Sequence, residues 1–162
     1  MRASWSACRS DPVEAPLILH ATCVALNERG VLICGPSGSG KSTLALELMA
    51  RGATLVADDR TELRREGDRL IARCPPAIRG LIEARGIGLL RAEVVAEVQL
   101  HVIVDMSQLE SARLPGHLYQ QMLGIDLPQL NRVEGAHFPA ALIQYLKGGA
   151  LDPDGPPAAV LD

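Results

Sequence analysis

The feature that most constrains this chain is a short loop sequence in which glycine and serine residues lead up to a lysine. It matches the pattern G-x-x-x-x-G-K-[ST] at every fixed position, and loops with this pattern cradle phosphate groups. Glycine permits backbone conformations that other residues avoid, so successive N–H groups can point at phosphate oxygens. The sequence therefore predicts a binding site for ATP or GTP, formed by Gly35, Pro36, Ser37, Gly38, Ser39, Gly40, Lys41, Ser42 and Thr43.

Two side chains of this loop have predicted roles in holding the nucleotide. Lys41 would bring a cation to the β- and γ-phosphates, and the Ser42 hydroxyl would ligate Mg²⁺. An apolar run at residues 31–34 precedes the loop, and a helix is predicted at residues 42–51, so that its positive N-terminal end would face the phosphates. This strand–loop–helix context argues against a chance match to the motif.

The pattern of apolar and polar residues predicts alternating strands and helices. Gly52 ends the helix after the loop, Glu66-Gly67-Asp68 forms the turn of a hairpin, and Pro75-Pro76 interrupts the chain. Such an alternation with inserted hairpins predicts an α/β fold, a P-loop nucleotide-binding core with a mixed sheet. The predicted strands occupy residues 17–26, 31–34, 54–57, 61–64, 69–72 and 94–105, and the predicted helices occupy residues 42–51 and 139–147.

The chain of 162 residues is predicted to form a single domain, because its length suits one compact core. Residues 1–15 are predicted to be a flexible lead-in, since they combine small and polar residues with proline. Residues 148–162 are rich in glycine and proline and are predicted to be a disordered tail. The P-loop domain itself would cover residues 16–147.

Composition excludes several classes of partner. The chain has only four aromatic residues and a net charge of −3, so it lacks the stacking platforms and the basic surface that nucleic acids require. It has no apolar run of the roughly 18 residues that span a bilayer, and no secretory signal is recognisable. The four cysteines form no CxxC pair, which predicts free thiols in a reducing, cytoplasmic setting.

Two adjacent carboxylates, Asp58 and Asp59, follow the apolar run at residues 54–57. The end of a buried strand lies at the edge where α/β sheets bind their ligands. Neighbouring carboxylates raise one another's pKa, so one of a pair can stay basic enough to accept a proton from a hydroxyl. The other could direct Mg²⁺ or its water, and the sequence leaves open which aspartate has which role.

The segment at residues 79–88 and one histidine complete the candidate site. In extended chain, Glu83 and Arg85 would project to the same side, so the carboxylate could reach a metal while the guanidinium faces phosphate. Taken alone, such residues in a glycine-rich loop are usually just exposed. His20 lies between apolar neighbours, where a core or edge histidine is the ordinary expectation.

Together, these residues and their order resemble the catalytic domain of HPr kinase/phosphorylase. The matching parts are His20, the phosphate loop, residues 48–59 (LMARGATLVADD) and residues 82–88 (IEARGIG), which are similar to the family signatures "RGhxLVADD" and "EIRGLGI". The resemblance covers roughly residues 17–130. It implies a fold like the nucleotide core of phosphoenolpyruvate carboxykinase. It also implies a bacterial enzyme that phosphorylates a serine of the phosphocarrier protein HPr and can reverse the reaction with inorganic phosphate.

The resemblance also implies roles for individual residues. Asp58 or Asp59 would be the base in the forward reaction and the acid in reverse, with His20 beside them. Arg113 is similar to a family arginine in a mobile loop linked to phosphorolysis. The implied ligands are ATP and Mg²⁺, the implied partners are HPr and further copies of this chain, and the implied metal ligands are Ser42, Glu83 and Asp58.

Three departures from the family pattern accompany these expectations. The chain resembles short alphaproteobacterial members, because only residues 1–16 precede the first predicted strand and the separate N-terminal domain of the family has no counterpart. Ala21 stands where the family usually has glycine. Residues 131–136 (NRVEGA) replace a "VRPGRN" stretch that belongs to the reverse activity and to the oligomer in longer members. The kinase direction is therefore predicted ahead of phosphorolysis.

Two other functions remain open from the sequence. The chain could phosphorylate a small molecule, and the arginines near residues 60–73 could then form a lid over it. It could also bind ATP without catalysis and report the nucleotide to a partner. Replacement of both aspartates by asparagine distinguishes an enzyme from a non-catalytic sensor, because an enzyme would lose phosphoryl transfer and still bind ATP.

Overall fold

The structure is a computed structural model and describes residues 15–155. Within that range it contains eleven strands, two α-helices and a short 3-10 helix. The strands are β1 (Leu17–Leu19), β2 (Ala21–Leu26), β3 (Arg29–Cys34), β4 (Thr54–Ala57), β5 (Thr61–Glu66), β6 (Arg69–Arg73), β7 (Leu81–Ala84), β8 (Gly88–Arg91), β9 (Glu97–Leu109), β10 (Leu118–Met122) and β11 (Ile125–Arg132). The helices are α1 (Lys41–Met49) and α2 (Phe138–Gly148), and the 3-10 helix is Pro76–Ile78.

Nine of the strands form one mixed sheet with β9 at its centre. The order along the sheet is β1-β5-β6-β9-β3-β2-β4, with the β10–β11 hairpin attached through β11. Strands β3 and β11 pair with β9 in parallel, and the remaining pairs are antiparallel. Strands β7 and β8 form a separate two-stranded sheet. The predicted α/β class with a mixed sheet is therefore confirmed.

The strand period of two divides the core between the faces of the sheet. On β3, Val31 and Ile33 pack in the cluster that contains the helices, whereas Leu32 belongs to the cluster on the opposite face. Leu44 and Leu48 of α1 join the first cluster together with residues of α2. This packing fixes α1 against the sheet, so the loop that begins the helix is held at the end of β3.

Several predicted elements have different bounds in the structure. The run at residues 17–26 is divided at His20, because β1 leaves to pair with β5 while β2 continues along β3. Strand β9 extends beyond Asp105 to Leu109. The sequence analysis missed the β10–β11 hairpin, whose polar residues and Pro128 hide the strand pattern. The helix at residues 139–147 is confirmed as α2.

The domain limits stay a prediction. Gly148, the first residue of the predicted tail, ends α2, and residues 149–155 form no helix or strand. Residues 156–162 of the tail and nearly all of the predicted lead-in lie outside the described residues. In the part of the chain that is described, no helix is long and apolar enough to cross a membrane.

Gly30 allows β3 to approach β9 closely. It is buried and pairs with Leu100 of β9. A Cβ at this position would lie 2.7 Å from Val98 Cγ1 and 2.9 Å from the backbone oxygen of Gln99. Backbone cannot yield as a flexible side chain can, so any larger residue would push the two central strands apart.

We predict that Gly30→Ala lowers the free energy of unfolding by about 1–3 kcal/mol, the usual cost of overpacking. Urea unfolding followed by circular dichroism measures this change. Gly148→Ala is the matched control, because a Cβ there would meet only Gln144 Nε2 at 3.9 Å. Equal stability of Gly30→Ala and the wild type would contradict the close approach of β3 and β9.

Candidate active site

The phosphate loop connects β3 to α1 and depends on glycine for its path. Gly35, Gly38 and Gly40 have φ values of 149°, 84° and 97°, a region that favours glycine. A Cβ on Gly35 would also lie 2.6 Å from Ser39 Oγ. Ser39 Oγ is itself buried and, among the described residues, has no hydrogen-bond partner. The fixed glycines of the motif are therefore required by the backbone that the loop adopts.

Lys41 is the first residue of α1 and is only 6% exposed. Its ammonium donates hydrogen bonds to the carbonyl oxygens of Gly35 at 2.9 Å and Pro36 at 3.2 Å. An ammonium has three donors, so one N–H remains for a further acceptor. The lysine is thereby held across the loop with its charge at the place where phosphates would lie.

A cavity of about 360 Å³ opens beside the loop. Part of its wall comes from the loop and the first turn of α1. The remaining wall includes the acidic pair after β4 and the hairpin formed by β7 and β8. The structure thus brings together three features that were predicted from the sequence to form one site: the loop, Asp58 with Asp59, and Glu83 with Arg85.

The Asp58 carboxylate accepts three hydrogen bonds and is almost fully buried. Its Oδ1 accepts from Ser42 Oγ at 2.6 Å and from Thr22 Oγ1 at 3.0 Å, and its Oδ2 accepts from the Glu83 N–H at 3.0 Å. The donors belong to α1, β2 and β7, so this one side chain connects three segments. The Asp58 carboxylate thereby stabilises the positions of these three segments relative to the end of β4.

Asp59 differs from Asp58 in exposure and in backbone conformation. It is exposed and has a φ of 64°, and the Arg60 N–H donates to the Asp58 carbonyl at 2.8 Å across it. A non-glycine residue in such a conformation costs on the order of 1–3 kcal/mol and persists where its surroundings enforce it. Within residues 15–155, no group donates a hydrogen bond to the Asp59 carboxylate, which is open to an incoming substrate.

Glu83 and Arg85 face the same cavity from the β7–β8 hairpin. Glu83 lies on β7, and Arg85 lies in the turn that follows, so the expected extended chain ends between them. A Cβ on Gly38 would lie 3.6 Å from Arg85 Nη2, which places the guanidinium over the phosphate loop. The two charged residues thus line one cavity, and the metal and phosphate expected to bind them stay predictions.

The oxygen groups in this cavity fit Mg²⁺. Because Ser42 Oγ gives its proton to Asp58, its lone pairs are available to a cation. Across the described residues, no group of three or more His, Cys, Asp or Glu side chains is placed to hold a metal. Mg²⁺ in kinases usually needs one or two carboxylates together with substrate phosphates. Ser42, Asp58 and Glu83 supply such a set.

Five candidate residues do not line this cavity: three of them, Gly35, Pro36 and Ser39, belong to the phosphate loop itself, and the other two are His20 and Arg113. His20 is exposed at the bend between β1 and β2. Arg113 is exposed in the segment between β9 and β10, and the next two residues, Leu114 and Pro115, line a separate apolar groove against α2. The roles of His20 and Arg113 stay predictions.

The cysteine beside the loop is a protonated thiol. Burial, with a smaller contribution from Asp105, raises the pKa of Cys34 to about 11 against the opposing effect of Lys41. Burial also raises the pKa of Cys23, on the neighbouring strand. Cys23, Cys34 and Cys74 are free thiols, as expected, and Cys8 lies outside the described residues. None of the three has the lowered pKa of a nucleophilic cysteine.

Thr22 was not among the residues predicted for the site, and Arg60 was considered only as one of the arginines of a possible lid. Thr22 donates to Asp58, and Arg60 lines the cavity beside the acidic pair. The position of Arg60 next to Asp59 was the signal that could have placed it at the site. Thr22 carries no motif, and only the pairing of β2 with β4 brings it to the site.

The chain is similar to curated proteins over most of its length. A protein of Oceanobacillus iheyensis named HPr kinase/phosphorylase 1 is 33% identical over 141 residues, which cover 82% of this chain and 44% of that protein. The HPr kinase/phosphorylase of Ralstonia nicotianae is 37% identical over 128 residues, covering 71% of this chain and 40% of that protein. The chain spans less than half the length of these relatives.

A solved structure and a family model agree with these relatives. The structure of the Hpr(Ser) kinase/phosphatase from Coxiella burnetii superposes with a TM-score of 0.70 at 28% identity, covering 81% of this chain and 94% of that one. The family model described as HPr Serine kinase C-terminal domain matches residues 14–131, which include the phosphate loop, the acidic pair and the β7–β8 hairpin. With this match over more than half of its length, the chain belongs to the HPr serine kinase C-terminal domain family.

Proposed function

We propose that this chain transfers the γ-phosphate of ATP to a serine of an HPr-type phosphocarrier protein, with Mg²⁺. The observation that carries the proposal is an open aspartate, Asp59, on the wall of the same cavity as a P-loop lysine, in a chain of this family. The relatives from Oceanobacillus and Ralstonia are named HPr kinase/phosphorylase, which supports HPr as the acceptor.

The phosphate loop and two cationic side chains, those of Lys41 and Arg85, would bind and orient the triphosphate. Backbone N–H groups at the start of α1 face anions favourably, and Lys41 has an N–H free for a phosphate oxygen. Arg85 lies over the loop, where its guanidinium can bind the transferred group. Mg²⁺, when held by Ser42, Asp58 and Glu83, would neutralise charge on the phosphates. Phosphoryl transfer depends mostly on such positioning and charge compensation.

Hydrogen bonding favours Asp59 over Asp58 as the proposed base. Asp58 already accepts three hydrogen bonds, so only one of its roughly four lone-pair sites, on Oδ2, is left, and the proposed Mg²⁺ would take it in place of a serine hydroxyl. Asp59 is exposed, lines the cavity and can take the hydroxyl proton as the serine oxygen attacks the γ-phosphorus. In the reverse direction the same carboxyl group would return the proton to the serine oxygen.

We also propose that the chain acts in the cytoplasm and associates with further copies of itself. The first proposal rests on the free cysteines, and the second rests on the family resemblance. Light scattering after size-exclusion chromatography tests the second, and a monomer at all protein concentrations would contradict it.

The central experiment incubates the purified chain with γ-labelled ATP, Mg²⁺ and HPr. We expect phosphoserine on HPr, identified by mass spectrometry, and no product when EDTA removes the metal. An HPr variant with alanine at the accepting serine is the control. Labelling of a small molecule in place of HPr would favour the small-molecule kinase, and ATP binding without any transfer would favour a nucleotide sensor.

Lys41→Ala should weaken ATP binding by roughly 10- to 100-fold, because it removes a charged hydrogen-bond donor to phosphate. Isothermal titration calorimetry measures the affinity. Lys147→Ala is the matched control, since the only other lysine of the chain is exposed on the last turn of α2. Unchanged affinity in Lys41→Ala would contradict the proposed phosphate site.

Asp59→Asn should affect the reaction rate, whereas Asp58→Asn should affect the stability of the fold. Asp59→Asn should lower kcat by at least about 100-fold, the contribution expected of a general base, and leave the fold stable. Asp58→Asn should lower the free energy of unfolding by about 1–3 kcal/mol, because an amide cannot accept all three hydrogen bonds. Steady-state kinetics and urea unfolding measure the two effects. Asp126→Asn, at the exposed position of β11, controls for the loss of a surface charge.

A further inference from the structure

Thr22 is a fully buried polar residue at the start of β2, with 0% exposure. The next residue, Cys23, pairs with Ala57, the last residue of β4, so Thr22 lies opposite Asp58. Val24 and Leu26, two and four residues further on, pack in the cluster that contains α1. Because side chains alternate along a strand, Thr22 faces the same layer as the phosphate loop.

The Thr22 hydroxyl contacts both members of the acidic pair. Oγ1 donates to Asp58 Oδ1 at 3.0 Å and accepts from the Asp59 N–H at 3.2 Å. One hydroxyl thus uses its proton on the structural carboxylate and a lone pair on the backbone of the proposed base. The only proton of this hydroxyl is thus used in a hydrogen bond, as a buried residue without access to solvent requires.

We propose that Thr22 is a positioning residue for phosphoryl transfer, one that holds the Asp59 backbone in its left-handed turn. The inference rests on the proposed function for its effect on rate. The φ of 64° at Asp59 is a conformation that needs support from its surroundings, and the Thr22 hydroxyl supplies an acceptor for its N–H. Without that acceptor, the turn could relax and carry the Asp59 carboxylate away from the acceptor serine.

A second buried threonine offers a matched comparison. Thr61 is also 0% exposed, and its hydroxyl donates to the Ala21 carbonyl at 2.8 Å. Its hydroxyl bonds backbone of β2 and neither aspartate. Loss of the Thr61 hydroxyl removes one buried hydrogen bond. Loss of the Thr22 hydroxyl removes two, and only this change frees the Asp59 N–H.

The experiment compares Thr22→Val, Thr22→Ser and Thr61→Val with the wild-type chain. Valine keeps the shape of threonine and removes the hydroxyl, whereas serine keeps the hydroxyl. We expect Thr22→Val to lower kcat for HPr phosphorylation by roughly 10- to 100-fold with KM for ATP changed less than about threefold, as expected when a catalytic group is misplaced. Thr22→Ser should restore most of kcat, and Thr61→Val should keep it.

Amide hydrogen exchange at Asp59 gives a readout that does not depend on catalysis. Exchange of this N–H, followed by NMR, should be roughly tenfold faster in Thr22→Val than in Thr22→Ser or Thr61→Val, because its acceptor is gone. Melting temperatures establish that each variant is folded. If Thr22→Val is unfolded, Thr22→Ser and a Thr22→Ala variant provide the same comparison of hydroxyl present and absent.

Each result supports the inference or overturns it. Wild-type kcat or wild-type exchange at Asp59 in Thr22→Val would overturn it, as would an equal loss of kcat in Thr61→Val. Failure of Thr22→Ser to recover activity would assign the effect to packing and would also overturn it. If the wild-type chain does not phosphorylate HPr, the proposed function fails, while the exchange rate at Asp59 still decides whether Thr22 holds the turn.

Discussion

The three hydrogen bonds to the Asp58 carboxylate hold together segments that are far apart in the chain. They tie the first turn of α1, the start of β2 and the backbone of β7 to the end of β4. Because a buried carboxylate without partners is costly, these donors and Asp58 depend on each other. The direction of the Ser42 hydroxyl proton and the position of the Glu83 backbone both follow from that arrangement.

Sheet topology explains why the phosphate loop and the acidic pair meet. Strands β3 and β4 are each antiparallel to β2, which lies between them, so they run in the same direction and end at one edge. The loop follows β3 and Asp58 follows β4. The start of β2 lies at that edge between them, which puts Thr22 within hydrogen-bonding distance of the acidic pair. The connection from β3 through α1 to β4 is thus a helical crossover like that of an all-parallel sheet, except that antiparallel β2 lies between the two strands that it joins.

Local sequence signals predicted the parts of the site, whereas long-range pairing determined their hydrogen bonds. The motif at residues 35–43 identified the loop, because its glycine spacing is a local backbone requirement. The pair Asp58 and Asp59 was recognisable after a buried strand, but the difference in their hydrogen bonding depends in part on Thr22, 36 residues from Asp58 in sequence. The β10–β11 hairpin was missed for a related reason, since its polar residues gain strand structure only by pairing with β9.

The charges that line the cavity explain why a divalent cation belongs to the proposed reaction. They are Lys41, Arg60 and Arg85 against Asp58, Asp59 and Glu83. This balance would change sharply on entry of a triphosphate, whose negative charges would lie beside carboxylates in a partly enclosed space. A cation held by Ser42, Asp58 and Glu83 would offset that repulsion where the phosphates are closest. Asp59, outside this set, would keep its negative charge uncompensated, which is what a base for the serine hydroxyl requires.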